Sequence, residues 1–309
     1  MSEFHQQLRR LIQQDVGGRG LATHPDENLF THCIDDFEQA CRSIAETTSP
    51  EIGIVTGFFI PDSKPPAGET DGPLGALYLA RALAPIGVKV HLITDDFCVK
   101  AFEAGLSATG LANQVGISTI DAWQNQNLTH LIALERAGPN HTLDSIDEQS
   151  RELFGQCVAP EDRDQCFTMR GKNVTARMGE AHRLFEETNA VTIGIGDGGN
   201  EVGMGRIPWE IIRRNVPGGE KVACRIATDL LIVCGVSNWG AYALALGALD
   251  LRDEPISEQL LDENLEHSLL ELMVREGPLV DGVLARHQAS VDGLSWERYI
   301  EPLRRMGGM

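Results

Sequence analysis

Short apolar runs ending in glycine or an acid alternate along this chain with stretches of helical periodicity. Ile52-Gly53-Ile54-Val55-Thr56-Gly57 is such a run and predicts a buried strand. A proline-rich loop, 61–72, follows it. Pro73 then opens a helix, where its missing N–H costs nothing, and Leu74, Leu77, Tyr78, Ala80 and Leu83 keep helical spacing until Gly87. Residues 88–93 predict a second strand, with Thr94-Asp95-Asp96 capping the helix after it. Two more strands are expected at 115–120 and 128–134, the latter with Glu135 at its end. Further on, the pattern predicts a helix over 174–188, a strand over 191–195 and a last strand over 230–236. Strand, helix, strand in repetition is the pattern of a parallel sheet with helices on both faces.

The ends of the chain read differently. Phe30, Cys33, Ile34, Phe37 and Ala40 fall at helical spacing, so 1–48 is expected to be helical. The segment 256–274 predicts an acidic amphipathic helix and 296–306 another. The expected organisation is one α/β domain over 1–309. It has an N-terminal helical addition (1–48), an α/β core (49–249) and a C-terminal helical addition (250–309). Residues 136–172, with Pro139 and Pro160, look irregular and are a candidate lid. Residues 230–249 carry no formal charge, but Ser237-Asn238-Trp239-Gly240 divides them. They therefore read as strand, turn and buried helix (241–249) rather than a membrane span.

Charge narrows the field of partners. With 45 acids against 26 bases the formal charge of the 309 residues is -19, and basic residues cluster only in pairs such as Arg213-Arg214. Nucleic acid and anionic membrane are poor partners for such a chain. Seven cysteines without a C-x-x-C pair are expected to be small buried hydrophobes in a reducing compartment. The first fourteen residues hold Glu3, Arg9 and Arg10 and no apolar core of a signal peptide, so a soluble, cytoplasmic protein is expected. A homo-oligomer is compatible with this reading.

Three loops directly after predicted strands carry the chemistry, at the sheet end where open parallel sheets bind ligands. In Pro65-Pro66-Ala67-Gly68-Glu69-Thr70-Asp71-Gly72-Pro73, Thr70 or Asp71 is a natural helix cap, whereas Glu69 has no such role. The stretch 194–205, GIGDGGNEVGMG, has six glycines in twelve residues. It contains a literal G-x-G-x-x-G, but Gly203 and Gly205 spoil the helix a dinucleotide site needs, and Asp197 would repel a pyrophosphate. No nucleotide cofactor is expected. Glu69, Asp71, Asp197, Asn200 and Glu201 instead form a set of hard oxygen ligands for manganese, magnesium or calcium. The third loop, Gly235 to Gly240, places Ser237 and Asn238 at a helix start, where they cap the helix or bind an anionic group of the substrate. Trp239 reads as a pocket wall or a core aromatic. Arg136, Arg170 and Lys172 are candidates to hold a substrate carboxylate, and His141 is the best-placed histidine for a proton carrier. His91 and His182 read as structural.

The strings TGFFIP…PPAGETDGPLGA, IGIGDGGNEVGMGRIPWE and LIVCGVSNWGAYALA resemble the glutamate-cyclase-like domain family across residues 30–300. HLIALERAGPN and TMRGKNVT fall where that family has further blocks. The resemblance implies an α/β fold and the conversion of D-glutamate to 5-oxo-D-proline with loss of water. It transfers no residue role. From the residues themselves three functions stay open. The first is a metal-assisted cyclase acting on a small anionic substrate, with Glu69, Asp71 and Asp197 as catalytic acids. The others are a manganese- or magnesium-dependent phosphatase built on the same acids, and a non-catalytic ligand-binding protein with 256–274 as a partner face.

Overall fold

The computed structural model describes residues 2–124 and 127–309. Six parallel strands form its main sheet: β1 (Glu51–Thr56), β2 (Lys89–Thr94), β3 (Gly116–Thr119), β4 (His130–Leu134), β5 (Val191–Gly196) and β6 (Leu230–Val233). Their spatial order is β3-β2-β1-β4-β5-β6, the order of a doubly wound sheet whose direction of winding reverses between β1 and β4. The apolar runs are continuous because both faces of the sheet are covered. Ile52 and Ile54 belong to the core on one face, whereas Val55, Leu131 and Ala133 belong to the core on the other.

Among the described residues, seven helices of ten or more residues pack around the sheet: α1 (Glu3–Ile12), α2 (Asp36–Glu46), α3 (Pro73–Leu83), α4 (Asp96–Ala108), α5 (Ser237–Leu251), α6 (Glu263–Glu276) and α7 (Trp296–Met306). Helices α3 and α5 lie against each other, and every residue of α3 is buried, as is α5 as far as Leu249. Such all-round apolar helices are central ones. Their N-termini meet closely because position 75 is glycine. A Cβ there would lie 2.7 Å from Asn238 Oδ1 and 3.0 Å from Ala241 Cβ. The terminal helices cover this pair, with α1 and α7 on α5, and α6 on α4. Segments on either side of β5, among them Phe154, Phe185, Ile207 and Ile212, cover the opposite face, with Phe154 packed edge-on to Trp209 at 5.5 Å.

Several sequence expectations need correction. The apolar spacing across 30–40 is split. Asn28 caps a helix of four residues, Leu29–His32, and the chain turns before α2, leaving Ile34 exposed. The helix expected at 174–188 breaks at Gly179, whose N–H goes to the Asp95 carboxylate and whose carbonyl takes Arg136. Only a 3-10 turn, Thr175–Arg177, and the helix His182–Glu186 remain. Asp95 stands at the N-cap of α4 but does not cap it, because its carboxylate is spent on those two partners. Residues 237–240 are the first turn of α5, not a turn before it. Helix α6 starts only at Glu263, capped by Asp262. Within residues 136–172, the candidate lid, Asn140 donates to the carbonyls of Asp162 and Lys221 and accepts from the N–H of Gln165. All seven cysteines are free thiols and only Cys157 is exposed. Among the described residues no helix is long and apolar enough to cross a membrane.

Candidate active site

At the carboxyl end of the sheet, over the point where β1 and β4 diverge, lies a cavity of about 100 Å³. That is room for about three waters at their share of liquid volume. Five carboxylates line it: Asp62 at the rim and Glu69 from the loop after β1, Glu135 at the end of β4, Asp197 at the end of β5 and Asp292 from the loop before α7. Asn200, Arg19 and Arg170 complete its polar wall, with Phe58, Ile60, Met169 and Val283 as its apolar part. Two groups of three acids bring their oxygens within 4.8 Å of one another, namely Asp71, Asp197 and Asp292, and Glu135, Asp197 and Glu201. Asp197 belongs to both.

Local structure explains how each acid is aimed. The strand Phe59–Ile60 pairs with Ala67–Gly68, and Glu69 hydrogen-bonds through its N–H to the carbonyl of Phe58 at 3.0 Å. This folds the proline-rich loop back so that Glu69 faces the cavity. The loop before α7 is stitched to the same segment by Thr70 N–H on Val280 O (2.9 Å) and Thr70 Oγ1 on Ser290 O (2.7 Å). Its own shape is set by Asp281, which accepts from the N–H groups of Val283, Leu284 and Gly293 and from Ser290 Oγ. Gly282 passes directly against Glu69, since a Cβ there would lie 1.9 Å from Glu69 Oε2.

Glu135 has φ of 44°, a left-handed conformation that is costly for a residue with a Cβ and concentrates at functional positions. Its carboxylate accepts a hydrogen bond from Ser237 Oγ. In the glycine-rich loop, Glu201 braces the turn by accepting from the N–H of Asp197 (3.0 Å) and of Gly199 (2.7 Å). Gly199 and Gly203 take φ of 103° and 110°, so the glycines serve a tight reversal rather than a dinucleotide.

Asp71 and Glu201 are buried but do not line the cavity. They lie behind it. The carboxylate of Asp71 accepts from the N–H groups of Ser237 (2.9 Å) and Asn238 (2.8 Å), so it occupies the N-terminus of α5. The anion at that helix end is therefore the protein's own. Ser237 faces Glu135, and Asn238 is turned to α3, with Oδ1 accepting from Gly72 N (2.9 Å) and Gly75 N (2.8 Å). Trp239 is a core residue that donates to the carbonyl of Tyr299 at 2.9 Å.

The expected cations part company. Arg170 sits at the mouth, donating to Val283 O at 2.6 Å with its remaining donors exposed. Arg136 is fully buried elsewhere, ion-paired with Asp95 and donating to Gly57 O (3.0 Å) and Gly179 O (2.8 Å). Lys172 pairs with Asp62 on the rim. His141 is outside the cavity, bonded to Ser145 Oγ at 3.0 Å, and burial pushes its pKa down to about 4. A neutral ring among apolar neighbours is no proton carrier at this site.

Sequence reasoning missed Arg19 and Asp292, and noted Glu135 only as a strand-end acid. Arg19 reaches between Asp197 and Asp292, ion-paired to both and 2.8 Å from the latter. A glycine on one side and two on the other, Gly17-Gly18-Arg19-Gly20, were its only sequence signal. Asp292 lies in an ordinary turn sequence before Gly293.

Electrostatics set the protonation of the cluster. Burial raises Glu69, Glu135 and Asp197 well above the usual carboxylate range, and neighbouring acids add to it. Asp71 is pushed up to about 7 by burial and then Asp292, against the helix N–H groups that favour its charge. Burial also opposes the charge on Arg19, but Asp197, Asp292, Glu135 and Asp71 outweigh it and keep the guanidinium protonated. Among the buried oxygens of the cavity wall, Asn200 Oδ1 and Asp292 Oδ2 are without a hydrogen-bond partner, and Asp197 Oδ2 has the Arg19 ion pair instead of one.

Fold and site together define a doubly wound α/β protein with a carboxylate-lined cavity at its topological switch point. The chain belongs to the family described as D-glutamate cyclase-like, C-terminal, whose model matches residues 8–307. It is 28% identical over 283 residues to D-glutamate cyclase, mitochondrial, of Homo sapiens. That match covers 84% of this chain and 41% of the human protein, so the chain spans about two-fifths of that relative's length.

Proposed function

We propose that this protein is a cyclase-type lyase that closes D-glutamate to 5-oxo-D-proline, with water as the other product. The observation that carries the reading is the small cavity with carboxylates on its floor and an arginine at its mouth, in a chain of this family. In the reaction a bond forms between the amine nitrogen and the γ-carboxyl carbon, one carbon–oxygen bond breaks, and two of the ammonium's three protons leave with that oxygen as water while the third stays as the lactam N–H. No oxidant is required. The ammonium of the substrate is drawn to Glu69, Glu135 and Asp197, whose raised pKa values suit them to take its proton and pass it on. Arg170 offers two parallel hydrogen bonds to the α-carboxylate. Asp71 acts from behind by holding the N-terminus of α5, and through it Ser237, against Glu135.

The donor set also fits a hard divalent ion such as manganese or magnesium. All its atoms are oxygens, and the unpartnered Asn200 Oδ1 and Asp292 Oδ2 are acceptors awaiting a cation rather than a donor. Asp197, Asp292 and Asn200 would hold it from the cavity side, with Asp71 behind. Bound there, it supplies Lewis-acid polarisation of the γ-carboxyl group. A phosphatase is favoured by no observation here, because the helix end suited to a phosphate is filled by Asp71.

The test is incubation of the purified protein with D-glutamate, L-glutamate and a generic phosphate ester, in EDTA and in manganese, followed by chiral separation of products. Appearance of 5-oxo-D-proline from D-glutamate is expected, with manganese above EDTA. Absence of product in every D-glutamate sample would end this reading.

A further inference from the structure

We infer that Arg19 is an exchangeable counter-ion: it holds the carboxylates of Asp197 and Asp292 until a divalent cation displaces it. The inference rests on the metal part of the proposed function and not on the identity of the substrate.

Arg19 sits on a loop outside the sheet, after α1, and its backbone is fixed independently of its side chain. The Asp15 carboxylate accepts from the N–H groups of Arg19 (2.8 Å), Gly20 (2.8 Å) and Leu21 (3.0 Å). Gly20, with φ of 87°, passes so close to Asn215 that a Cβ would lie 2.3 Å from its carbonyl oxygen. The anchor therefore stays put when the guanidinium leaves. The side chain itself is 17% exposed and forms part of the cavity wall, so it has a route to solvent along its own cavity.

Charge and donor geometry both argue for replacement. Asp71, Asp197 and Asp292 converge within 4.8 Å, and Glu135 and Glu201 converge on Asp197 as closely. One guanidinium offers a single positive charge to this group, and a divalent ion offers two. A guanidinium also donates only in its own plane, and it leaves Asn200 Oδ1 and Asp292 Oδ2 buried without a donor. A divalent ion takes six or more oxygens around a sphere and has use for these orphans. Because Arg19 already holds Asp197 and Asp292, ion and arginine are mutually exclusive there.

The experiment compares wild type with Arg19→Met and Asp292→Asn. Manganese affinity is read by calorimetry, and the Arg19 side-chain Nε–H signal by NMR with magnesium as the diamagnetic ion. The signal is assigned by its loss in Arg19→Met. Removing the competitor is expected to tighten manganese binding at least tenfold, and Asp292→Asn to weaken it. Saturating magnesium is expected to shift the Arg19 signal and speed its exchange with water. Equal or weaker manganese binding by Arg19→Met, or an Arg19 signal unmoved at saturation, would overturn the proposal. So would absence of binding in wild type and Arg19→Met alike, an outcome that leaves D-glutamate turnover in EDTA as a separate question.

Discussion

Asp71 and Asn238, which stand at the starts of α3 and α5, hold each other's helix N-termini by their side chains. Asp71 ends the loop before α3, yet its carboxylate takes the N–H groups of Ser237 and Asn238 at the start of α5. Asn238 stands in the first turn of α5, yet its Oδ1 takes Gly72 N and Gly75 N at the start of α3. Two helix N-termini that would repel as parallel dipole ends are thereby joined through an acid and an amide. Tyr299 of α7 supports the pair through its hydroxyl, 3.1 Å from Asn238 Nδ2.

This exchange predicts a coupled loss. Asn238→Ala removes a cap from α3 and strands buried N–H groups, which costs about 2 kcal/mol. Asp71→Ala does the same to α5. Because each residue orients the other, the double variant should lose less than the two single losses added together. Urea unfolding of the three variants checks this, and strict additivity would show two independent caps.

A second prediction concerns Gly282. Alanine there puts a Cβ 1.9 Å from the present position of Glu69 Oε2, so the carboxylate must swing away or the loop must move. Gly282→Ala should therefore cut D-glutamate turnover at least tenfold while the thermal midpoint changes by only a few degrees. Turnover at the wild-type rate would remove Glu69 from the chemistry.

Much of the fold was legible because a parallel sheet covered on both faces writes itself as separated apolar runs, and β1, β2, β4 and β5 each appeared within a residue or two of their bounds. The site was legible in part for a related reason: acids at strand ends must meet at the carboxyl edge, which brought Glu69 and Asp197 to one cavity. Hidden from that logic were partners set by tertiary contacts. Nothing in the sequence around Asp71 tells that its capping partner is a helix 166 residues on. Arg136 looks like Arg170 in sequence, and only the fold commits it to Asp95. Arg19 and Asp292 arrive from opposite ends of the chain, on loops with no strand to place them.

The two arginines should separate in kinetics. Arg136→Met leaves the half-buried Asp95 without its counter-charge and with only the Gly179 N–H, a loss of about 3 kcal/mol, seen as a lowered unfolding midpoint. Arg170→Met, at the exposed mouth, should leave stability within about 0.5 kcal/mol and raise KM for D-glutamate. A raised KM without loss of stability in Arg136→Met would reverse these roles.

Acid stability should carry a histidine signature. Burial holds His130 and His141 each at about 4, below the roughly 6.5 of an unfolded chain. Between those values the unfolded state binds the extra proton, so each histidine's contribution is intact above pH 6.5, falls as pH drops towards 4, and is lost below it. Each is worth about 3 kcal/mol in full. The raised carboxylates of the cavity act oppositely, gaining stability as they protonate. Comparison with His141→Gln isolates one histidine. Its stability should fall less steeply than wild type between pH 6.5 and 4, by up to about 1.4 kcal/mol per pH unit. Parallel curves would show that His141 is charged in the fold.

The last prediction puts the acids themselves to work. Asp197 is the one carboxylate shared by both converging groups, and like charges at such distances repel by roughly 4 kcal/mol per pair at an effective dielectric of about 20. Arg19 relieves part of this and raised pKa values relieve more, since a protonated acid no longer repels. A divalent ion at neutral pH would do both jobs at once, and would bind the folded chain only, because the unfolded chain scatters these residues over the sequence. Mass action then stabilises the fold by about 2.7 kcal/mol at a hundredfold excess over Kd. For a chain of 309 residues that is a rise in the midpoint of about 4 °C. Asp197→Asn removes one charge and halves the carboxylate's ligand capacity while keeping its size. Thermal unfolding in millimolar manganese should therefore raise the wild-type midpoint by several degrees and the variant's by much less. Without metal the variant should be no less stable than wild type, because it relieves the repulsion that the ion would otherwise neutralise. Equal shifts in both proteins, or none in either, would exclude Asp197 as a ligand.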